Sequence, residues 1–74
     1  MRVLIRWRSE RRSLAAMRPY EITESRELRP LRGAPPLPLR AAEAIVSALR
    51  EGTAPGHTVL VDGVIYDVRR VEEG

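Results

Sequence analysis

HTVLVDGVIYDVRRV, residues 57–71, is the stretch of sequence that decides the fold. Its Asp62-Gly63 pair is typical of a two-residue type I′ hairpin turn, because both central positions of that turn need a positive φ. The short loop predicts three cross-strand pairs on one face of the hairpin: Val61 with Val64, Val59 with Tyr66, and His57 with Val68. Leu60 and Ile65 pair on the other face, so we expect both faces of the hairpin to be partly apolar.

The segment before the hairpin, LRAAEAIVSALREG at residues 39–52, predicts a helix. Alanine, leucine, arginine and glutamate all favour helix formation, and Gly52 stands where a helix is expected to end. The apolar residues recur at helical spacing along one side: Ala41, Ala42, Ile45, Ala48 and Leu49. This side is expected to pack against one face of the sheet, which leaves the second face uncovered.

At the N-terminus, RVLIRWR (residues 2–8) alternates in the manner of a β-strand. Val3, Ile5 and Trp7 share one face, which we expect to join the core. The other face carries the remaining residues of the stretch: Arg2, Leu4, Arg6 and Arg8.

The chain between this strand and the helix is less regular. Residues 9–18 fit either a short helix capped by Ser9 or a turn into a second strand. We place that second strand at about Tyr20–Glu24. The proline-rich residues 29–38 predict an extended connection that runs over the surface towards the helix.

Together these elements predict a single α+β domain over residues 1–74. A small antiparallel sheet is built from the N-terminal strand, the second strand and the C-terminal hairpin, with one helix packed on one face. The element order also resembles that of ubiquitin-like folds, and this topology stays an alternative. Carrier members of that group end in two glycines, whereas this chain ends in Glu73-Gly74, so carrier chemistry is not expected.

Charge is distributed unevenly along the chain. All thirteen basic residues are arginine and the net charge is +3, yet residues 1–20 alone hold six arginines and one glutamate. A basic end of this kind predicts an acidic partner. The chain has no cysteine, which is compatible with a reducing compartment. We therefore expect a cytoplasmic protein, with a virion or nucleoprotein complex as the alternative location.

No group of residues in the sequence predicts catalysis. His57 is the single histidine, and no cysteine or second histidine stands at a metal-ligand spacing from it. The acidic residues are scattered among arginines as solvated ion pairs. Glycine-rich phosphate loops and nucleophile elbows are missing from the sequence. We expect no catalytic site, metal, cofactor, small-molecule substrate or membrane partner.

Self-association, or a place in a larger protein complex, is the first functional hypothesis. A chain of this length buries a small core and gains from a partner that covers apolar surface. The uncovered face of the sheet offers the expected interface residues: Leu4, Leu60, Ile65 and Val71. On this hypothesis the protein is a small non-catalytic binding or assembly protein whose partner is itself or another protein.

Nucleic-acid binding is the alternative hypothesis. The guanidinium group matches phosphate oxygens, and the candidate arginines lie near both ends of the chain: Arg2, Arg6, Arg8, Arg11, Arg12, Arg69 and Arg70. A plainer interpretation of the N-terminal arginines is that they protect an edge strand from aggregation. Trp7 would then lie in the core beside Val3 and Ile5.

Overall fold

The computed structural model describes residues 1–9, 16–50 and 56–71, with the backbone alone at residue 50. It contains five strands and one helix in the described residues. In chain order they are β1 (Arg2–Arg8), β2 (Arg18–Ile22), β3 (Leu28–Pro30), α1 (Leu39–Arg50), β4 (Gly56–Val61) and β5 (Val64–Arg70). The predicted α+β class is confirmed: a five-stranded antiparallel sheet carries one helix on one face.

The strands are arranged in the order β3-β2-β1-β5-β4, so β1 lies in the middle of the sheet. The interpretation of β1 as a charge-protected edge strand is therefore wrong. Alternation along a strand indicates its two faces but not its place in the sheet, and β1 uses the backbone groups on both its sides. Its pairing extends to Met1, which accepts a hydrogen bond from Ile22 N at 2.7 Å, and to Val71, whose N–H donates to Arg2 O at 3.0 Å.

The hairpin of β4 and β5 forms as predicted. Asp62 and Gly63 have φ values of 50° and 79°, as a type I′ turn requires. All three predicted pairs are present in the register of the two strands: Val61 with Val64, Val59 with Tyr66, and His57 with Val68. This hairpin is the next described element after α1, whereas ubiquitin-like folds have a crossover at that point.

The region between β1 and α1 differs in part from expectation. β2 begins and ends two residues earlier than the predicted Tyr20–Glu24. β3 was not predicted, and it takes the first residues of the proline-rich stretch. Thr23 closes the β2–β3 connection, because its hydroxyl accepts a hydrogen bond from the Glu27 N–H at 3.1 Å and Arg26 adopts a φ of 66°. The choice between helix and strand for residues 9–18 falls mainly on residues 10–15, which lie outside the described residues.

The core lies between α1 and the face of the sheet that carries Val3 and Ile5. Helix and sheet side chains form one buried cluster: Val3, Ile5, Tyr20, Ala34, Ala41, Ile45, Leu49, Tyr66 and Val68. Tyr20 is fully buried, and its hydroxyl donates a 2.5 Å hydrogen bond to Pro35 O. This bond fastens the connection before α1 to the core. The predicted helix is confirmed from residue 39 to residue 50, and Gly52 lies outside the described residues.

Candidate functional site: the open face of the sheet

The face of the sheet opposite α1 is the candidate site, and we call it the open face. Residues that stand directly across from one another on neighbouring strands share a face, so the register defines its members. They are Arg2, Leu4, Arg6 and Arg8 of β1, Pro19 and Glu21 of β2, Arg29 of β3, Thr58 and Leu60 of β4, and Ile65, Asp67 and Arg69 of β5. Two neighbours continue the alternation beyond the strands, Leu31 beside Pro19 and Val71 beside Arg2.

A shallow apolar hollow lies at one end of the open face. Its volume is about 360 Å³, and its apolar lining comes from Leu4, Pro19, Leu31 and Val71. Arg2 and Arg32 also line it and supply its positive charge. Val71 is 38% exposed. The hollow therefore combines surface that favours an apolar side chain with two guanidinium groups that favour a carboxylate.

A cluster around Asp67 occupies the middle of the open face. Asp67 Oδ2 lies 3.0 Å from Arg6 Nε and 3.7 Å from Arg8 Nε, while Thr58 Oγ1 donates to Asp67 Oδ1 at 3.3 Å. The Asp67 side chain is only 16% exposed, whereas those of Arg6 and Arg8 are 46% and 56% exposed. The carboxylate thus lies beneath two arginines and neutralises part of their charge.

A second apolar patch lies beyond this cluster, towards the β4 edge. Leu60 is paired with Ile65 across the hairpin, and Leu60 is 70% exposed. Arginines outnumber carboxylates on the strands of the open face, which carry five arginines and only the two carboxylates of Glu21 and Asp67. The open face is therefore basic, with an apolar surface at each end.

The structure brings the four interface candidates and four of the seven predicted arginines onto one surface. The interface candidates Leu4, Leu60, Ile65 and Val71 and the arginines Arg2, Arg6, Arg8 and Arg69 all lie on the open face. Arg70 stands across from Val3 and therefore lies on the helix side of the sheet. Arg11 and Arg12 lie outside the described residues.

Sequence reasoning missed seven residues of the site. Glu21, Thr58 and Asp67 lie in predicted strands, and the other four are Pro19, Arg29, Leu31 and Arg32. These four come from β2, β3 and the turn after β3. Pro19 stands just before the predicted second strand, and Arg29 and Leu31 lie in the predicted extended connection. Alternation around the unpredicted β3 would have set Arg29 and Leu31 on the same face as Glu21, whereas Arg32, at a φ of 48°, lies in the turn after β3.

The aromatic residues lie on the opposite side of the sheet. Trp7 and Tyr66 are neighbours there, with ring centroids 6.4 Å apart, and Tyr20 is fully buried. Burial raises the pKa of both tyrosines above the ordinary value of 10.0; nearby Arg18 opposes the rise at Tyr20, and Asp62 adds to it at Tyr66. As its parity predicted, Trp7 faces away from Arg6 and Arg8. Among the described residues, the open face has no aromatic ring on which a base could stack.

In the described ranges 1–9, 16–50 and 56–71, no three His, Cys, Asp or Glu side chains come together as metal ligands. The helix in these ranges, α1, does not have the length and the apolar character needed to span a membrane. No protein-family model, curated protein or solved structure matches this chain.

Proposed function

We propose that this protein is a small non-catalytic binding and assembly protein whose open face docks onto an acidic surface of another protein. The observation that carries the proposal is the hollow lined by Leu4 and Val71, in which apolar surface lies beside the guanidinium groups of Arg2 and Arg32. An apolar side chain flanked by aspartate or glutamate is the chemistry that fits this hollow. Buried apolar anchors with a charged rim are typical of protein interfaces.

The charge of the open face favours a different protein over a second copy at this surface. Two open faces brought together would oppose arginine to arginine, because each carries five strand arginines and two carboxylates. Like charges across an interface weaken association, and complementary charges strengthen it and speed encounter. The partner surface is therefore acidic. We also propose a cytoplasmic location, which the absence of cysteine supports.

A random-peptide display selection on the immobilised full chain tests the proposal. The expected enrichment is for peptides that carry a large apolar residue between acidic residues. A synthetic peptide of the enriched sequence is then titrated against Val71→Asp, which puts a negative charge at the hollow. We expect this variant to bind at least about tenfold more weakly, because it loses apolar contact and gains repulsion.

Leu39→Asp is the control, since it adds the same charge at an exposed apolar residue of α1, on the opposite side of the sheet from the hollow. It should leave peptide affinity within about twofold of the wild type. Enrichment of basic peptides, or equal losses in the two variants, would show that the hollow is not the docking site.

Nucleic-acid binding is the second candidate function, and the gathering of Arg2, Arg6, Arg8, Arg29 and Arg69 on one face favours it. Phosphate contacts by such a face would need no base-specific group. It ranks second for two reasons. Asp67 already binds Arg6 and Arg8, and the open face lacks stacking aromatics in the part of the chain that is described.

Two adjacent arginines make a sharp test of this second function. Arg69 lies on the open face, while Arg70 lies on the helix side. Binding of labelled single- and double-stranded oligonucleotides is measured across a range of salt concentrations. Arg69→Gln should reduce the slope of log affinity against log salt by about 1, while Arg70→Gln leaves it unchanged. Salt-independent binding, or an equal effect of the two changes, would contradict phosphate recognition by the open face.

A further inference from the structure

The two edges of the sheet differ in how well they are protected. In an antiparallel pair, successive residues direct their N–H and C=O groups to alternate sides of the strand. β3 forms one edge and is three residues long, and Pro30, which points outward there, has no N–H. Short length and proline are the usual devices that block an edge from pairing.

β4 forms the other edge and carries none of these devices. It is six residues long, GHTVLV, with no proline, arginine, aspartate or glutamate. The type I′ turn joins Val61 to Val64 by hydrogen bonds, so His57, Val59 and Val61 bond to β5. The backbone N–H and C=O groups of Gly56, Thr58 and Leu60 therefore point away from β5, and within the described residues no strand pairs with them.

We propose that a second copy of this chain pairs with this edge, β4 against β4 in antiparallel orientation, to give a continuous ten-stranded sheet. One register uses every outward N–H and C=O of both strands: Thr58 opposite its own copy, and Gly56 opposite Leu60. Any shift from this register leaves outward groups of Gly56 or Leu60 without a partner.

The side chains at this edge also fit this register. A Cβ atom added at Gly56 would meet nothing within 4 Å, so open space lies above that residue. Leu60 of the second copy fills this space, which covers a side chain that is 70% exposed in the single chain. On the open face, the charged residues nearest to β4 are Asp67 and Arg69, which stand one strand further in, so pairing of the two β4 strands places no like charges directly opposite each other.

A cysteine pair tests both the dimer and its register, because the chain has no cysteine of its own. The Cα atoms of a hydrogen-bonded antiparallel pair are about 5.5 Å apart, within reach of a disulfide. Oxidised Thr58→Cys should therefore run as a covalent dimer on a non-reducing gel. Leu60→Cys should not, since four residues along the strand separate the two thiols by about 13 Å. A mixture of Gly56→Cys and Leu60→Cys should cross-link to each other.

Sedimentation of the untagged full chain reports the mass without any covalent bond. Wild type is expected to dimerise with concentration, and Thr58→Pro should weaken dimerisation by about tenfold or more because it removes the central N–H from both strands. Thr58→Val loses the same hydroxyl but keeps the N–H, so it should dimerise like the wild type. Val71→Asp lies away from the edge and should also dimerise normally, which separates this proposal from the proposed function.

A wild-type chain that stays monomeric at high concentration would overturn the proposal. The β4 edge would then be open to pairing with a strand of another protein. Equal cross-linking of Thr58→Cys and Leu60→Cys would also overturn the proposal. If Thr58→Pro does not fold, as circular dichroism would reveal, the cysteine variants still decide the outcome.

Discussion

Arg6 of β1 and Asp67 of β5 stand directly opposite each other, with Arg6 Nε 3.0 Å from Asp67 Oδ2. The pair joins two strands that are far apart in the sequence and sits at the centre of the open face. Arg8 and Thr58 bind the same carboxylate. Asp67 is therefore both a tie between strands and the residue that limits the positive charge of the face.

Asp67→Asn should lower the free energy of unfolding by up to about 1 kcal/mol, because the contributing arginines are half exposed and solvent screens them. The same change should strengthen binding of an acidic polymer such as poly-glutamate, since it leaves two guanidinium groups without their carboxylate. Urea unfolding followed by Trp7 emission and titration with poly-glutamate measure the two effects. Thr58→Val should reproduce a smaller part of the stability loss and none of the gain in binding.

Gly63 should be difficult to replace because of its backbone and not its surroundings. Its φ is 79°, yet an added Cβ would meet nothing within 4 Å. Gly63→Ala should therefore destabilise the protein by about 1–2 kcal/mol through left-handed strain alone. Gly63→Asn should lose less, because asparagine tolerates this conformation. Equal losses of the two variants in urea unfolding would show that left-handed strain is not the reason why Gly63 is difficult to replace.

Ile45 and Leu39 occupy the same helix but should respond very differently to truncation. Ile45 is fully buried against the sheet, whereas Leu39 is 73% exposed at the start of α1. Ile45→Val should lower the free energy of unfolding by about 0.5–1.5 kcal/mol. Leu39→Ala, although it removes more atoms, should change it by less than about 0.5 kcal/mol. A reversed ranking in thermal unfolding would show that α1 packs through another side.

Alkaline pH should destabilise the protein through its two tyrosines. Burial raises the pKa of Tyr20 and Tyr66 above 10.0 in the folded chain. A raised folded pKa contributes stability that is complete below the unfolded value and is lost as pH rises through the folded value. An ultraviolet titration of phenolate should therefore show no native tyrosine ionising near pH 10, while in denaturant both should titrate there. Native ionisation at the ordinary pKa would contradict the burial of the rings.

The parts of the fold that could be predicted from the sequence are those set by short-range chemistry. Asp62-Gly63 determines a turn within four residues, and the spacing of Ala41, Ile45 and Leu49 determines one side of a helix. β3 could not be found in this way, because its turn uses Arg26 at positive φ where glycine or asparagine is the usual signal. The central position of β1 depends on pairing with residues at the far end of the chain, which no local pattern records.

The candidate site also combines features that local patterns predict with features that depend on long-range pairing. Alternation alone placed Leu4 with Arg6 on one face of β1, and Leu60 with Ile65 on one face of the hairpin. Only the register of β1 with β5 shows that these two faces are the same surface. Each functional hypothesis drew on residues from both ends of the chain, and this register brings those ends onto one surface.

The central place of β1 also bears on how the protein is made. Arg6 and Asp67 are 61 residues apart, and a chain is synthesised from its N-terminus. One side of β1 therefore stays unpaired until β5 has been made, and closing so long a loop slows folding. During that interval a half-paired strand with an apolar face is exposed to neighbouring nascent copies. Its three arginines repel the same strand of another copy, which disfavours pairing between unfinished sheets during synthesis.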